Sequence, residues 1–551
     1  MKINKEKHIV SIWGIQDGSG FPNEGWSEFF PTHDHALCIM KDGEIQSAIE
    51  LERLTRVKND NTLSDKIEGL IEDLPEDFIA VVVNDFNGNA FISKNGLWRT
   101  ECDRFALDEI ISPAYSLIKR KKIESYVCPH ELAHIGANLV FYGNFKENSL
   151  LVHIDGLASQ SCASVYLYKN KKIRHIYHGF DLLKEVQLFG FNDLTCQMMG
   201  GKNEQSRLST PGKLMGYSSY GSYDKNLMKK LIKEDWYHDH WKNPKFYKDF
   251  NVEEIDLNLP LFKNIAYCCQ KAFEDKVLEF LKKYQKLTGA ENLYYSGGCA
   301  LNINLNSLII KSGLFKNVYI PPCCSDTGLA IGGAAIIEFL RGNKIKKHSA
   351  YQNSIGISNG KVNKLSQVLV DDVCKHIYEK KVVGVCIGNA ESGPRALGHR
   401  TLLALPTQDM FEKVSMGIKK REWFRPLAPI ITESRAKDIF EDYKKNEINK
   451  FMLLSYKIKK RWQKEIAGVC HIDNTARPQI IEDGDRETIH IQQILECMWE
   501  KYHIPCLINT SFNGKGEPIV HTPQDAISSA TRIGVDYVLF NDKIIEIKKG
   551  Q

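Results

Sequence analysis

Two stretches of this sequence repeat one local pattern, and no other feature restricts the fold as much. HALCIMKDGEIQSAIELERLTR reads as a strand over residues 36–40, a Lys-Asp-Gly turn and a second strand over 44–50. An Asp-Gly pair between two apolar segments is a hairpin signal. SLLVHIDGLASQSCASVYLYKNKKIRHIYH repeats the idea, with a buried strand ending at Asp155 and two further strands around a KNKK turn. A strand–turn–strand unit that occurs twice predicts a duplicated α/β domain with a cleft between its halves.

Two later segments, ENLYYSGGCALNINLNSLII and NVYIPPCCSDTGLAIGGAAIIEFL, each read as strand, glycine turn and helix. In an open α/β sheet such turns lie at the carboxyl ends of strands, where ligands bind, and the helix N-terminus beyond attracts phosphate. Residues 343–363 are polar and aperiodic, which places a domain boundary there. The remainder, from about 360 to 551, reads as a second α/β unit that opens with a strand over 382–387 and closes over 537–547. Residues 222–260, charged and aromatic, read as a surface insertion.

Composition narrows the class. A chain of 551 residues with 43% hydrophobic and 26% charged positions can bury several cores, two to four at about 100–200 residues each. Its net charge of +5 is mild, against a dedicated nucleic-acid binder. No apolar run reaches the roughly 18 residues of a membrane span. The opening MKINKEKHIVSIWG has no signal-peptide core, so secretion is not expected. The 15 cysteines are odd in number, scattered or adjacent, and form no CxxC. That fits reduced thiols of a cytoplasmic protein rather than a disulfide framework.

The local motif with the most chemistry is HELAH, His130 to His134. On a helix it sets two imidazoles one turn apart on one face, as for two ligands of one metal. Three readings stand. A zincin would use Glu131 as general base, but its extended form fails at Val140. A plain helix would satisfy both histidines internally. The third reading adds carboxylates from elsewhere, and Asp155 in HIDG and Asp326 in SDTG are placed for that. Two His and two Asp suit iron, zinc or manganese. Asp326 could instead cap the following helix, and Gly297–Gly298 could be an ordinary turn; together with a metal, the glycine turns suggest a nucleotide polyphosphate.

Beyond residue 390 lie GPRALGHR, KKREWFRPLAP, HIDNTARPQ and INTSFNGKGEP. Each joins charged or amide side chains to Gly or Pro. Arginine forks and turn amides are what a small, doubly charged anion needs. The candidates are Arg395, Arg421, Arg425, His471, Arg477, Asn509 and Asn513.

Taken in order with HDHALCIMKDGEIQSAIELERLTRVKND, PGKLMGYSSYG, SGGCALN and DTGLAIGGA, these motifs resemble the NodU/CmcH family of O-carbamoyltransferases along most of the chain. The resemblance implies an actin-like ATPase domain over 1–345 and a YrdC-like domain over 360–551. It implies carbamoyl phosphate and ATP as substrates, a carbamoyl-adenylate intermediate, and transfer to a hydroxyl of a small sugar or natural-product acceptor. It implies Fe(2+) or another divalent metal on His130, His134, Asp155 and Asp326, with Mg(2+) and homodimer formation left open. Nucleotide contacts fall on Lys58, Lys213, Gly297, Gly298 and Asn302, and an active-site histidine on His33. Arg425 and Arg477 would hold the phosphate of carbamoyl phosphate. Glu131, Ala158–Ser159, Asn389 and Ser392 depart from the family pattern, as does an extra segment before His33, which leaves the acceptor open. Two rivals are a tRNA threonylcarbamoyl-type transferase of the same superfold and a non-catalytic ATP-binding regulatory protein.

Overall fold

The computed structural model describes residues 6–14, 32–61, 65–84, 90–93, 96–102, 110–190, 192–202, 204–233 and 248–548. Most of the extra segment before His33, and part of the insertion at 222–260, lie outside them. The chain divides into two compact units, Met1–Phe145 with Tyr319–Gln551, and Lys146–Val318.

The first unit opens with an eight-stranded sheet. Its strands are β1 (His8–Trp13), β2 (Ala36–Lys41), β3 (Glu44–Glu50), β4 (Phe78–Val83), β5 (Ala90–Ile92), β6 (Trp98–Glu101), β7 (Ser112–Ile118) and β8 (Lys121–Cys128), in the order β3-β2-β1-β4-β8-β7-β6-β5. A second sheet comprises β9 (Ser149–Ile154), β10 (Ala163–Lys169), β11 (Lys172–Gly179), β12 (Asn292–Ser296) and β13 (Asn317–Tyr319), in the order β11-β10-β9-β12-β13. The two patterns coincide. β1 pairs antiparallel with β2 and parallel with β4, while β2 pairs antiparallel with β3. β9 does the same with β10 and β12, and β10 with β11. This is the duplicated α/β arrangement that the two hairpin signals predict. Both hairpins turn on left-handed pairs: Asp42 and Gly43 at φ 52° and 76°, Asn170 and Lys171 at φ 54° and 56°. That geometry matches the twist of the flanking strands.

Between β8 and β9 runs the helix His130–Tyr142, buried at every position. The helix Leu329–Leu340 packs against it, buried from Leu329 to Glu338. Their approach depends on glycines: a Cβ at Gly332 would run into the Ala133 carbonyl, and one at Gly136 into the Gly332 carbonyl. The crossing holds both histidines of HELAH against the segment that carries Asp326. Gly332→Ala is therefore expected to force the helices apart and lower stability by about 3 kcal/mol, as for overpacked cores. Chemical denaturation measures this; an unchanged midpoint would contradict the close crossing.

The C-terminal part forms a third sheet. Its strands are β14 (Val383–Cys386), β15 (Arg400–Ala404), β16 (Ala428–Thr432), β19 (Gln479–Ile481), β20 (Leu507–Ser511), β21 (Tyr537–Leu539) and β22 (Ile544–Glu546), in the order β19-β16-β20-β15-β14-β21-β22; β17 (Tyr456–Lys457) and β18 (Thr475–Ala476) pair apart from it. Val383, Leu402, Ile430, Leu507 and Val538 belong to its core. Residues 343–363 carry no helix or strand, as the sequence predicts, but they are pinned: Asn353 bridges Ala48 and Ala390. None of the 15 cysteines is in a disulfide. Among the described residues no helix is long and apolar enough to cross a membrane.

Candidate functional site

HELAH begins its helix at once after Pro129, so His130 and His134 stand on successive turns. Their Nε2 atoms face each other at 3.0 Å. Asp326 Oδ1 lies 3.7 Å from His130 Nε2 and 3.4 Å from His134 Nε2. Asp326 starts a one-turn 3-10 helix before Leu329. Neither residue that caps that turn or the helix beyond is Asp326, and its carboxylate faces the imidazoles instead. Burial pushes the Asp326 carboxyl up, but His33, His130 and His134 outweigh it and hold the group well below the usual carboxylate range.

These three donors fit a divalent cation. Metal–donor bonds of about 2.1 Å separate neighbouring donors by roughly 3 to 3.5 Å, near the spacing found, and the three ligating atoms lie within 4.8 Å of one another. Two imidazoles and a carboxylate form a borderline donor set suited to iron, zinc or manganese.

His33 approaches from the other side. Its Nε2 lies 3.7 Å from Asp326 Oδ2, its Nδ1 is 2.9 Å from Asp34 Oδ2, and its carbonyl accepts the Trp13 indole N–H at 2.7 Å. Asp34, at φ 57°, is turned back toward its neighbour, and its other oxygen accepts from Asn59 Nδ2 at 2.9 Å. Burial raises the Asp34 carboxyl, yet His33 brings it below its ordinary value. An ionised Asp34 against Nδ1 leaves Nε2 as the nitrogen able to take a proton. His35 is fully buried, and burial pushes its pKa down to about 3. It is a neutral packing histidine.

The segment after β3 ties this centre to the C-terminal sheet. Arg53 is buried, donating to Glu50 at 3.1 Å and to the Gly393 carbonyl at 3.0 Å; Gly393 N–H donates back to Glu50 at 2.6 Å. Arg56 donates to the carbonyls of Pro518 and Ile519 and to Glu517. Lys58 Nζ donates to Glu52 at 3.2 Å. Lys58 acts electrostatically on both Asp34 and Lys419.

That cluster is cationic. Arg395, Arg421 and Arg477 are half-buried, and the Nε atoms of Arg395 and Arg477 hydrogen-bond to no described residue. Burial, then Arg425 and Arg395, lower Arg421 to about 9; burial and Arg425 lower Arg395 to about 10, outweighing the Cys324 thiol. Arg477 falls well below its ordinary value through burial and the other three arginines. Arg425 differs, since Glu422 pairs with it at 3.4 Å. Glu422 offsets Arg421 in part; three guanidiniums that repel one another suit an oxyanion. His471 lies nearby in sequence to this set, with its pKa lowered by burial.

The asparagines of NTSFN do different work. Asn509 is buried, accepting from Thr401 and donating to Ala396 O and Gln479 Oε1. Asn513 accepts from Lys419 and Ser511 and donates to Glu517 O. Lys419 is buried among oxygens of Ser511 and Asn513, and its pKa is driven well below the ordinary lysine value by burial, Arg421 and Arg425. In the sequence Lys419, Glu50, Arg53 and Asp34 are visible only as letters of longer motifs.

In the second unit Asp155 follows β9. Its carboxylate accepts from Gly156 N–H at 2.5 Å and from Gly298 N–H. Gly297, at φ 99°, passes so close to Ile154 that a Cβ would meet its carbonyl. Asn302 caps the helix Ile303–Ser312 and exchanges amide hydrogen bonds with Gln270 at 3.1 Å. Lys213 donates to Met199 O at 2.9 Å.

A duplicated α/β core thus carries a histidine–aspartate centre, and the C-terminal part an arginine cluster. Residues 91–336 match the family model described as carbamoyltransferase N-terminus, and 374–547 match carbamoyltransferase C-terminus. Together they take in most of the chain, which belongs to the carbamoyltransferase family; the protein is a carbamoyltransferase. An uncharacterised protein of Methanocaldococcus jannaschii is 29% identical over 93% of this chain and 98% of its own. Nodulation protein U of Sinorhizobium fredii is 27% identical over 88% of this chain and 93% of its own. Nodulation protein NolNO of the same species is 23% identical over 93% and 79%. Among solved structures, full-length HypF in its phosphate- and nucleotide-bound form is similar over 62% of this chain and 48% of that one, at 13% identity and a TM-score of 0.33.

Proposed function

We propose that this chain carbamoylates a hydroxyl of a small-molecule acceptor, using carbamoyl phosphate and ATP through a carbamoyl-adenylate. The observation that carries the reading is the cluster of Arg395, Arg421 and Arg477, whose charges repel one another, which is open in part to solvent and in which the Nε atoms of Arg395 and Arg477 have no hydrogen-bond partner among the described residues. A phosphate supplies the missing negative charge in bidentate form. In this reading the C-terminal, YrdC-like part takes carbamoyl phosphate: water cleaves it to carbamate and phosphate, with the arginines stabilising the departing phosphate. Carbamate oxygen then attacks the ATP α-phosphorus, and pyrophosphate leaves. The acceptor oxygen attacks the carbamoyl carbon and AMP leaves.

His33 takes the acceptor's proton at Nε2, since Asp34 occupies Nδ1. Lys58, which acts electrostatically on both Asp34 and Lys419, offsets phosphate charge. A divalent cation on His130, His134 and Asp326 would supply Lewis-acid stabilisation of phosphate oxygens. For Asp155, Lys213, Gly297, Gly298 and Asn302, in the other unit, the assignment rests on the resemblance alone.

Product analysis tests the reading. Purified protein given carbamoyl phosphate, ATP and a panel of hydroxylated sugars and polyketides is expected to release phosphate, pyrophosphate and AMP. ADP in place of AMP and pyrophosphate would overturn the adenylate route.

A further inference from the structure

Arg395 and Arg477 come from segments that have little regular structure of their own. Arg395 sits in a loop bounded by Gly393 and Gly398, both left-handed at φ 92° and 107°. Arg477 lies between the two-residue strand β18 and the start of β19. The two guanidiniums repel each other in a partly desolvated setting, where like charges interact more strongly than in water. Something must hold these segments at a fixed separation.

The holding groups are buried amides bonded to the backbone next to the arginines. Gln479, two residues after Arg477, donates from Nε2 to the carbonyl of Leu397, two residues after Arg395, at 2.6 Å. The same carbonyl accepts the Tyr351 hydroxyl at 2.7 Å. Asn509, on β20, donates from Nδ2 to Gln479 Oε1 at 2.7 Å and to Ala396 O at 3.1 Å, and its own Oδ1 accepts from Thr401 on β15. Gln479 and Asn509 are each 1% exposed. Both oxygens and both nitrogens of the amide pair are thereby engaged, and the network links one arginine segment to the other through the sheet.

We propose that Gln479 and Asn509, with the Tyr351 hydroxyl, are positioning residues that fix the spacing of Arg395 and Arg477 for a bound oxyanion. The proposal rests on the reading of the arginine cluster as a phosphate site. In this proposal each of the three side chains acts through the backbone of the loop or strand that bears an arginine. A donor lost from Leu397 O lets the glycine-bounded loop relax outward under the arginines' repulsion, and an anion then meets two charges at the wrong separation. A polar core without this role would behave differently: its loss would lower stability and leave anion affinity alone.

The test uses the full chain and inorganic phosphate as the probe, with calorimetric titration and the thermal midpoint read together. Gln479→Met keeps side-chain length and removes both amide atoms. It is expected to weaken phosphate at least about tenfold and to raise KM for carbamoyl phosphate by a similar factor, beyond any loss of midpoint. Tyr351→Phe keeps the ring stacked on His399 and removes one donor; about threefold weaker phosphate is expected. In an Arg395→Ala background, Gln479→Met is expected to add nothing, since the charge it positions is gone. Wild-type phosphate affinity in Gln479→Met, or additive losses in the double variant, would overturn the brace alone. If Gln479→Met does not fold, Tyr351→Phe decides, and an unchanged affinity there counts against it. A wild-type chain that takes no phosphate would bring down the phosphate site and the brace together.

Discussion

Arg477→Ala is expected to cut phosphate release from carbamoyl phosphate by about 10²- to 10³-fold, the usual cost of removing a preorganised charge from a partly desolvated site. Arg425→Ala is expected to cost only about tenfold. The contrast follows from their partners: Glu422 already pairs with Arg425, whereas the Arg477 Nε has no hydrogen-bond partner among the described residues and its charge is opposed by three other arginines. An anion gains most from the guanidinium that nothing else has neutralised. The metal content of Arg477→Ala is expected to stay at the wild-type level, because His130, His134 and Asp326 lie on different elements. Single-turnover phosphate release across the two variants checks this. Equal losses would mean that Glu422 leaves Arg425 as available as Arg477, and the ranking of the cluster would be wrong.

What could be read from the sequence divides along physical lines. The hairpins were legible because Asp42–Gly43 adopts the left-handed pair that a tight antiparallel turn requires, a demand that only a few residue types meet. HELAH was legible as two stacked imidazoles because helical spacing is local. The structure adds one observation to its three readings, the position of Asp326: facing the imidazoles, not capping its helix, which is what the metal reading expects. Long-range packing was not legible. Arg53 reaches Gly393 across 340 positions of sequence, and no local pattern encodes such a contact. The same limit applies to NTSFN. Amides in a loop motif suggest ligand contacts, yet the Asn509 amide is spent on Thr401, Ala396 and Gln479. Only the sheet order, which sets β20 beside β15 and β16, brings those partners to it.

The largest effect on the transfer step itself is expected at His134. It is wholly buried, and its Nε2 stands nearest to both other donors, at 3.0 Å from His130 and 3.4 Å from Asp326. His134→Ala leaves two donors where three converge, and a borderline divalent cation held by two side chains is retained poorly. Elemental analysis is expected to fall from about one metal per chain toward none, and carbamoylated product to drop below detection. Phosphate release from carbamoyl phosphate should persist, because the arginine cluster is untouched. His33→Ala separates the metal from the base: metal content is expected to hold, while product formation falls by about 10²- to 10⁴-fold, the range for a lost general base. The two variants therefore differ in one measurement, bound metal, and agree in the other, lost transfer. Full metal content in His134→Ala would remove the histidine pair from the centre. Loss of metal in His33→Ala would make His33 a ligand of the cation rather than the base beside it.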